Sequence, residues 1–136
     1  MSLKTAEIEA LIRAACEARD HAYAPHSHFY VGASVLTVEG TRYAGCNVEN
    51  ASYGLTICAE RVAISAAIAQ GHRDFRAIAV ASHGGVTPCG ACRQFLFEFN
   101  PRLTVIAVDA LERRHTSFSL AQLLPDAFGR HDLSVQ

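Results

Sequence analysis

Apolar residues at Ile8, Leu11, Ile12, Ala15 and Ala22 recur close to the helical period and predict an amphipathic helix over the opening segment. Thr5 is placed to cap its start, and Glu7 and Glu9 sit where the positive end of the macrodipole favours acids. Pro25, in "HAYAPHSHF", breaks that pattern. The run "FYVGASVLTV" (29–38) is then β-branched and apolar, and a Glu39–Gly40 turn joins it to "TRYAGCNV" (41–48) as a hairpin. After the loop "ENASYGLTI", the alanine-rich "CAERVAISAAIAQG" (58–71) predicts a second helix closed by Gly71. "RAIAVAS" (76–82) reads as a buried strand, "CGACRQFLFEF" (89–99) as a helix and "RLTVIAV" (102–108) as another buried strand. A strand–helix–strand run of this size requires a parallel, right-handed crossover. A weaker strand near "RHTSFSL", a short helix through "LAQLL" and the turn "PDAFGRHDL" complete the chain. The expected fold class is α/β, a single domain over residues 1–136 with one mixed sheet and helices on both faces.

Composition narrows the functional classes. Half of the residues are hydrophobic and 18% are charged, as in an ordinary globular protein. The formal net charge is −1 and the arginines are scattered, so no basic face is expected and no nucleic-acid partner. No apolar stretch has the length of a membrane span, and Glu7, Glu9, Arg13, Glu17 and Arg19 interrupt the opening segment. These features predict a cytoplasmic protein without a secretory signal or a membrane partner. The chain has five cysteines, an odd number, and in a reducing compartment closely spaced cysteines point to metal binding or catalysis rather than disulfides.

The chemistry concentrates in two stretches. "TPCGACRQ" sets Cys89 and Cys92 in C-x-x-C spacing, on one face of a helix, so both sulfurs can reach one ion. Cys58, in "ENASYGLTICAERVAI", supplies a third thiolate. Three protein ligands leave one position for water, the arrangement of a catalytic rather than a structural zinc site. Three thiolates give the zinc complex a formal charge of −1, which a cation would offset, and Arg61 is placed to do so. In a regular helix Cys58 and Glu60 would point about 200° apart. Both can face one metal only if Cys58 lies at the cap, so the helix must begin within a residue or two of it. Glu60 is then the expected catalytic residue, a carboxylate that takes a proton from water and hands it on. A first ligand two residues before a non-ligating Glu, followed by Pro-Cys-x-x-C, is the general pattern of zinc nucleobase deaminases.

"CNVENASYGLTICAER" followed by "PCGACRQ" resembles the small, homotetrameric cytidine deaminases, and the likeness runs from "YAPHSHFYVGASVL" to "LLPDAFGRHDL". The resemblance implies a three-layer α/β/α fold around one mixed five-stranded sheet. It implies one Zn2+ per subunit and hydrolysis of cytidine and deoxycytidine to the uridines in pyrimidine salvage. It further implies that Asn47 and Glu49 hold the ribose and that Phe29 packs on the pyrimidine. The backbone of Ala59 would hold the base, and the Thr87 carbonyl would face the leaving amino group. Tyr53 and Phe128 match positions that complete a neighbouring subunit's pocket, in a homotetramer with shared active sites. His26 departs from the family's usual Tyr, near the region where relatives pack their subunits.

Blander readings stand beside these. The three cysteines could form a closed zinc knot, with His72 or His83 filling the shell, or be buried thiols. Glu60 could be a helix-start acid, Arg61 a solvated residue, and Phe29 and Tyr53 core aromatics. Cys16 and Cys46 read as small hydrophobes. The functional alternatives are a deaminase of another aminopyrimidine nucleoside such as blasticidin S, and a non-catalytic zinc-stabilised module. An editing enzyme acting on polynucleotides would need the basic groove that this chain lacks.

Overall fold

The structure is a computed structural model that describes residues 2–133. The opening helix, α1, spans Thr5–Arg19. It does not use Thr5 as its cap. Thr5 is already the first helical residue, and the backbone N–H of Lys4 donates to the Glu7 carboxylate at 2.9 Å. An acid at the third helical position reaches back to that donor, closing the first turn from inside the helix.

Strands β1 (Gly32–Thr37) and β2 (Arg42–Cys46) form the expected hairpin around Gly40, whose φ of 95° suits a residue without Cβ. Both strands are shorter than their apolar runs. Phe29 and Val31 stay out of the ladder because Asn47 takes their backbone groups. Its Nδ2 donates to the Phe29 carbonyl at 2.8 Å, and its Oδ1 accepts from the Val31 N–H at 2.9 Å.

Helix α2 spans Ala59–Ala69 and ends, as expected, at Gly71 with φ 97°. There the His72 N–H donates to the Ala67 carbonyl at 3.1 Å, and that of Gly71 to Ile68 at 2.9 Å, closing the last turn. Strand β3 (Phe75–Ser82), helix α3 (Gly90–Phe97), strands β4 (Thr104–Asp109) and β5 (His115–Ser119), and helix α4 (Leu120–Leu123) follow. The sheet order is β2-β1-β3-β4-β5, with β3 and β4 parallel across the α3 crossover and the other pairs antiparallel. The five-stranded mixed sheet is thus the one expected.

The sheet's two faces are loaded unequally, because alternate residues of each strand face opposite ways. Under α1 lie Ala77, Ala79 and Ala81 of β3, with Leu36, Ile106 and Val108. Under α2 and α3 lie larger side chains, among them Val35, Ile78, Val80 and Val105. The small residues let α1 come close. A Cβ on Gly32 would stand 2.0 Å from the Ala15 carbonyl oxygen. On the other face, Gly45 abuts α2, where a Cβ would lie 2.6 Å from the Ala63 nitrogen. Among the described residues, no helix is long and apolar enough to cross a membrane.

Gly32→Ala tests this close approach. The clash is with backbone, so the chain must separate helix from sheet. We expect a loss of about 1–3 kcal/mol or more of unfolding free energy, read from a denaturant midpoint.

Candidate metal centre and active site

Two helices begin at one place. Cys58 directly precedes α2 with φ −73° and ψ 151°, and Cys89 directly precedes α3 with φ −67° and ψ 168°. These extended conformations keep both side chains out of the helical turns while their carbonyls start the ladders. Cys58 accepts from the N–H groups of Arg61 and Val62, and Cys89 from that of Arg93. Cys92, fully buried, enters from the first turn of α3. The start of α2 at Ala59 meets the requirement read from the sequence, that Cys58 stand at the cap.

The three sulfurs lie within 4.8 Å of one another, and Cys58 and Cys89 are 4.0 Å apart. Tetrahedral zinc with Zn–S bonds of about 2.3 Å requires sulfurs about 3.8 Å apart, so this trio fits the ion. No histidine joins it: among the described residues the cluster is the three cysteines alone. His72 instead faces Glu39, with Nδ1 3.1 Å from the carboxylate.

The thiols differ in acidity. A hydrogen bond from Cys92, reinforced by the Arg61 guanidinium 3.6 Å away, holds the Cys58 thiol well below its ordinary range. Giving that hydrogen bond, together with burial, pushes Cys92 up. Of this pair Cys58 is the more readily ionised, and binding of a cation releases the protons that the thiols still hold. The start of each helix adds positive potential at the sulfurs. Arg61 stands against them, its Nε buried without a hydrogen-bond partner. Glu60 is 4% exposed. Burial pushes its carboxyl up to about 7, with the Cys58 charge adding to the rise and Arg61 opposing it.

Beside this centre opens a cavity of about 320 Å³. Glu60, Cys58 and Cys89 line it, and so do Phe29, Asn47, Glu49, Ala59 and Thr87, all the cavity residues expected from the sequence. Phe29 is 40% exposed, at the wall rather than in the core. Glu49 accepts from the N–H groups of His26 and Ser27 at 2.9 and 3.1 Å, and from the Ser27 hydroxyl. These bonds, the Ser27 hydroxyl foremost, hold its carboxyl below the usual range. Ser27 was not singled out by the sequence, because its partner lies far along the chain and no spacing rule links them.

Tyr53 and Phe128 do not line the cavity. Tyr53 is 77% exposed with its ring 6.0 Å from that of His26, and Phe128 is 59% exposed. Cys16 is buried on α1, which pushes its thiol up and fits a small hydrophobe.

Fold and site together define a class: an α/β protein with three cysteines gathered where one metal ion could sit and a buried acid beside them. The sequence profile described as "Cytidine and deoxycytidylate deaminase zinc-binding region" matches residues 5–108, and the chain belongs to that family. Zinc is accordingly its metal. A cytidine deaminase of Sporosarcina psychrophila is 44% identical over 130 residues, covering 94% of this chain and 96% of the relative. A probable cytidine deaminase of Dictyostelium discoideum is 45% identical over 130 residues, 93% of this chain and 87% of its own. Among solved structures, the cytidine deaminase of Burkholderia pseudomallei superposes with a TM-score of 0.84 at 50% identity. That match covers 88% of this chain and 98% of the other.

Cys92→Ser tests the ligand set. We expect the purified variant to lose nearly all its zinc by elemental analysis, where the parent retains about one ion per chain. Full retention would remove Cys92 from the set.

Proposed function

We propose that the protein hydrolyses cytidine and deoxycytidine, replacing the 4-amino group with oxygen and releasing ammonia. One observation carries this reading: a buried acid, Glu60, shares a nucleoside-sized cavity with two of the three zinc-ligating thiols. The relatives' names support the choice of substrate. Bound zinc supplies Lewis acidity that activates the attacking water.

The residues of the chain do the rest. Glu60 takes a proton from water as it adds to C4 and delivers it to ring N3. It then carries the second proton to the amino group as the C4–N bond breaks. A carboxyl held near neutrality by burial can both accept and give within one turnover. Arg61 offsets the thiolate charge. Asn47 and Glu49 hold the sugar, Phe29 packs on the base, the Ala59 backbone orients it, and the Thr87 carbonyl receives the departing amine.

We further read the protein as a homotetramer whose subunits share their pockets. The support is a set of exposed apolar side chains, Tyr23, Tyr30, Val48, Tyr53, Leu55 and Ile57, of which Tyr30, Val48 and Ile57 are next in sequence to residues that line the cavity. Large apolar side chains left exposed on neighbouring segments of a chain mark an interaction surface. Tyr53 and Phe128 would then enter neighbouring pockets. Reduced thiolate ligands suit a cytoplasmic setting.

Incubation with cytidine, followed by the ultraviolet change toward uridine, tests the activity. Glu60→Gln should keep its zinc while kcat falls by about 10²–10⁴-fold, and near-normal turnover would remove Glu60 from the chemistry. For the assembly, native mass measurement should give four chains, and Tyr53→Ala should raise KM. A fully active monomer would overturn the shared-pocket reading.

A further inference from the structure

Arg93 follows Cys92 directly, yet its side chain serves neither the metal nor the cavity. Its Nε donates to the Pro88 carbonyl at 2.7 Å, Nη1 to the Leu123 carbonyl at 2.7 Å, and Nη2 to the Thr87 hydroxyl at 2.8 Å. All three partners are neutral acceptors, and all three bonds are short. A planar guanidinium presents donors in fixed directions, so filling three of them pins the three acceptors relative to one another. Two belong to Thr87 and Pro88, the residues just before the ligand Cys89. The third closes α4.

The neighbouring residues extend the same joint. Gln94 Nε2 donates to the Phe128 carbonyl at 2.9 Å. Gly129 packs so closely on α3 that a Cβ there would stand 2.8 Å from the Phe97 ring. Arg93, Gln94 and Phe97 of α3 therefore meet the C-terminal segment at Leu123, Phe128 and Gly129. The other ties on the approach to Cys89 lie upstream of Thr87, where Gly84 donates to the Asp109 carboxylate and Gly85 and Val86 donate to Ser82. Residues 83–89 form no helix or strand, and Gly84 and Gly85 both have positive φ.

From this geometry we infer that Arg93 is a positioning residue. Its guanidinium clamps Thr87 and Pro88 against the C-terminal segment, and so sets where the Thr87 carbonyl and the Cys89 sulfur stand. The inference rests on the proposed reading of Thr87 as a wall of the substrate cavity. Its effect on the metal site stands apart from that reading. Lysine cannot replace the clamp, since the three acceptors are met by three separate guanidinium nitrogens, whose positions one ammonium nitrogen cannot all occupy.

The test is Arg93→Lys in the full-length protein, with three readouts. Elemental analysis should find zinc at the parent level. The cobalt(II)-substituted variant should show a shifted thiolate-to-metal absorption band, since one sulfur has moved. With cytidine, kcat should fall by about 10- to 100-fold while KM changes by less than about threefold, the pattern of misplaced groups rather than lost binding. The Thr87→Val variant, which loses only the hydroxyl contact, should lower kcat in the same direction. The Arg93→Lys/Thr87→Val double variant should fall no further than Arg93→Lys alone.

A cobalt spectrum and kcat both equal to the parent's would overturn the proposal. So would zinc loss with activity restored by added zinc, which would assign Arg93 to metal retention. Should Arg93→Lys fail to fold, Thr87→Val decides alone, and parental kcat and spectrum there count against the clamp. If the parent itself leaves cytidine unchanged, the substrate reading fails while the cobalt band still tests the joint.

Discussion

The molecule depends on two helices starting at the same point. A helix start offers unpaired N–H groups and a positive potential, and its preceding residue has an extended backbone that frees the side chain. Cys58 and Cys89 both occupy that preceding position, so two sulfurs reach one spot without distorting either helix. Cys92 comes from the first turn of the second helix and completes the trio. The same offset resolves an apparent conflict in α2. Two positions apart, Cys58 and Glu60 would diverge within a helix, but with Cys58 outside it both line one cavity.

Around that rigid centre the cavity walls are irregular chain, and side chains hold them in place. Asn47 carries the backbone of Phe29 and Val31, and Glu49 carries His26 and Ser27. The residues assigned to the sugar are therefore also the fasteners of the loop bearing the aromatic wall. Buried or half-buried backbone groups need partners, and these side chains supply what a strand neighbour would have given. Substitution at either position acts on ligand contact and on loop geometry together, which makes a simple division of the two effects artificial.

Much of this was legible in the sequence. The order of strands and helices follows from periodicity, and the parallel pairing of β3 with β4 follows from the length of the connection. The gathering of Cys58, Cys89 and Cys92 with Glu60 beside them was legible because metal geometry imposes spacing that survives in one dimension. Other features were not. The run 29–38 looks like strand throughout, and nothing local announces that Asn47 will draw its first residues away. Thr5 looks like a cap because its chemistry is right, yet the acid at Glu7 makes the bond. Arg93 was read as part of a motif, and its work became visible only through Leu123, a partner thirty residues away. Spacing rules capture contacts within a helix face or a ligand set. They miss single hydrogen bonds that join distant loops.

Gly45 has no side chain to take part in any reaction, yet it sets the height of α2 above the sheet through direct backbone contact near Ala59 and Ala63. It works as a spacer of zero thickness. A hydrophobic interface filled by side chains can relax by changing rotamers, whereas backbone against backbone has no such slack. The elevation of Cys58 and Glu60 is therefore fixed by a hard stop rather than by a cushion. The mechanical tolerance of the Glu60 carboxyl is set on an adjoining face of its own helix, by an absent methyl group.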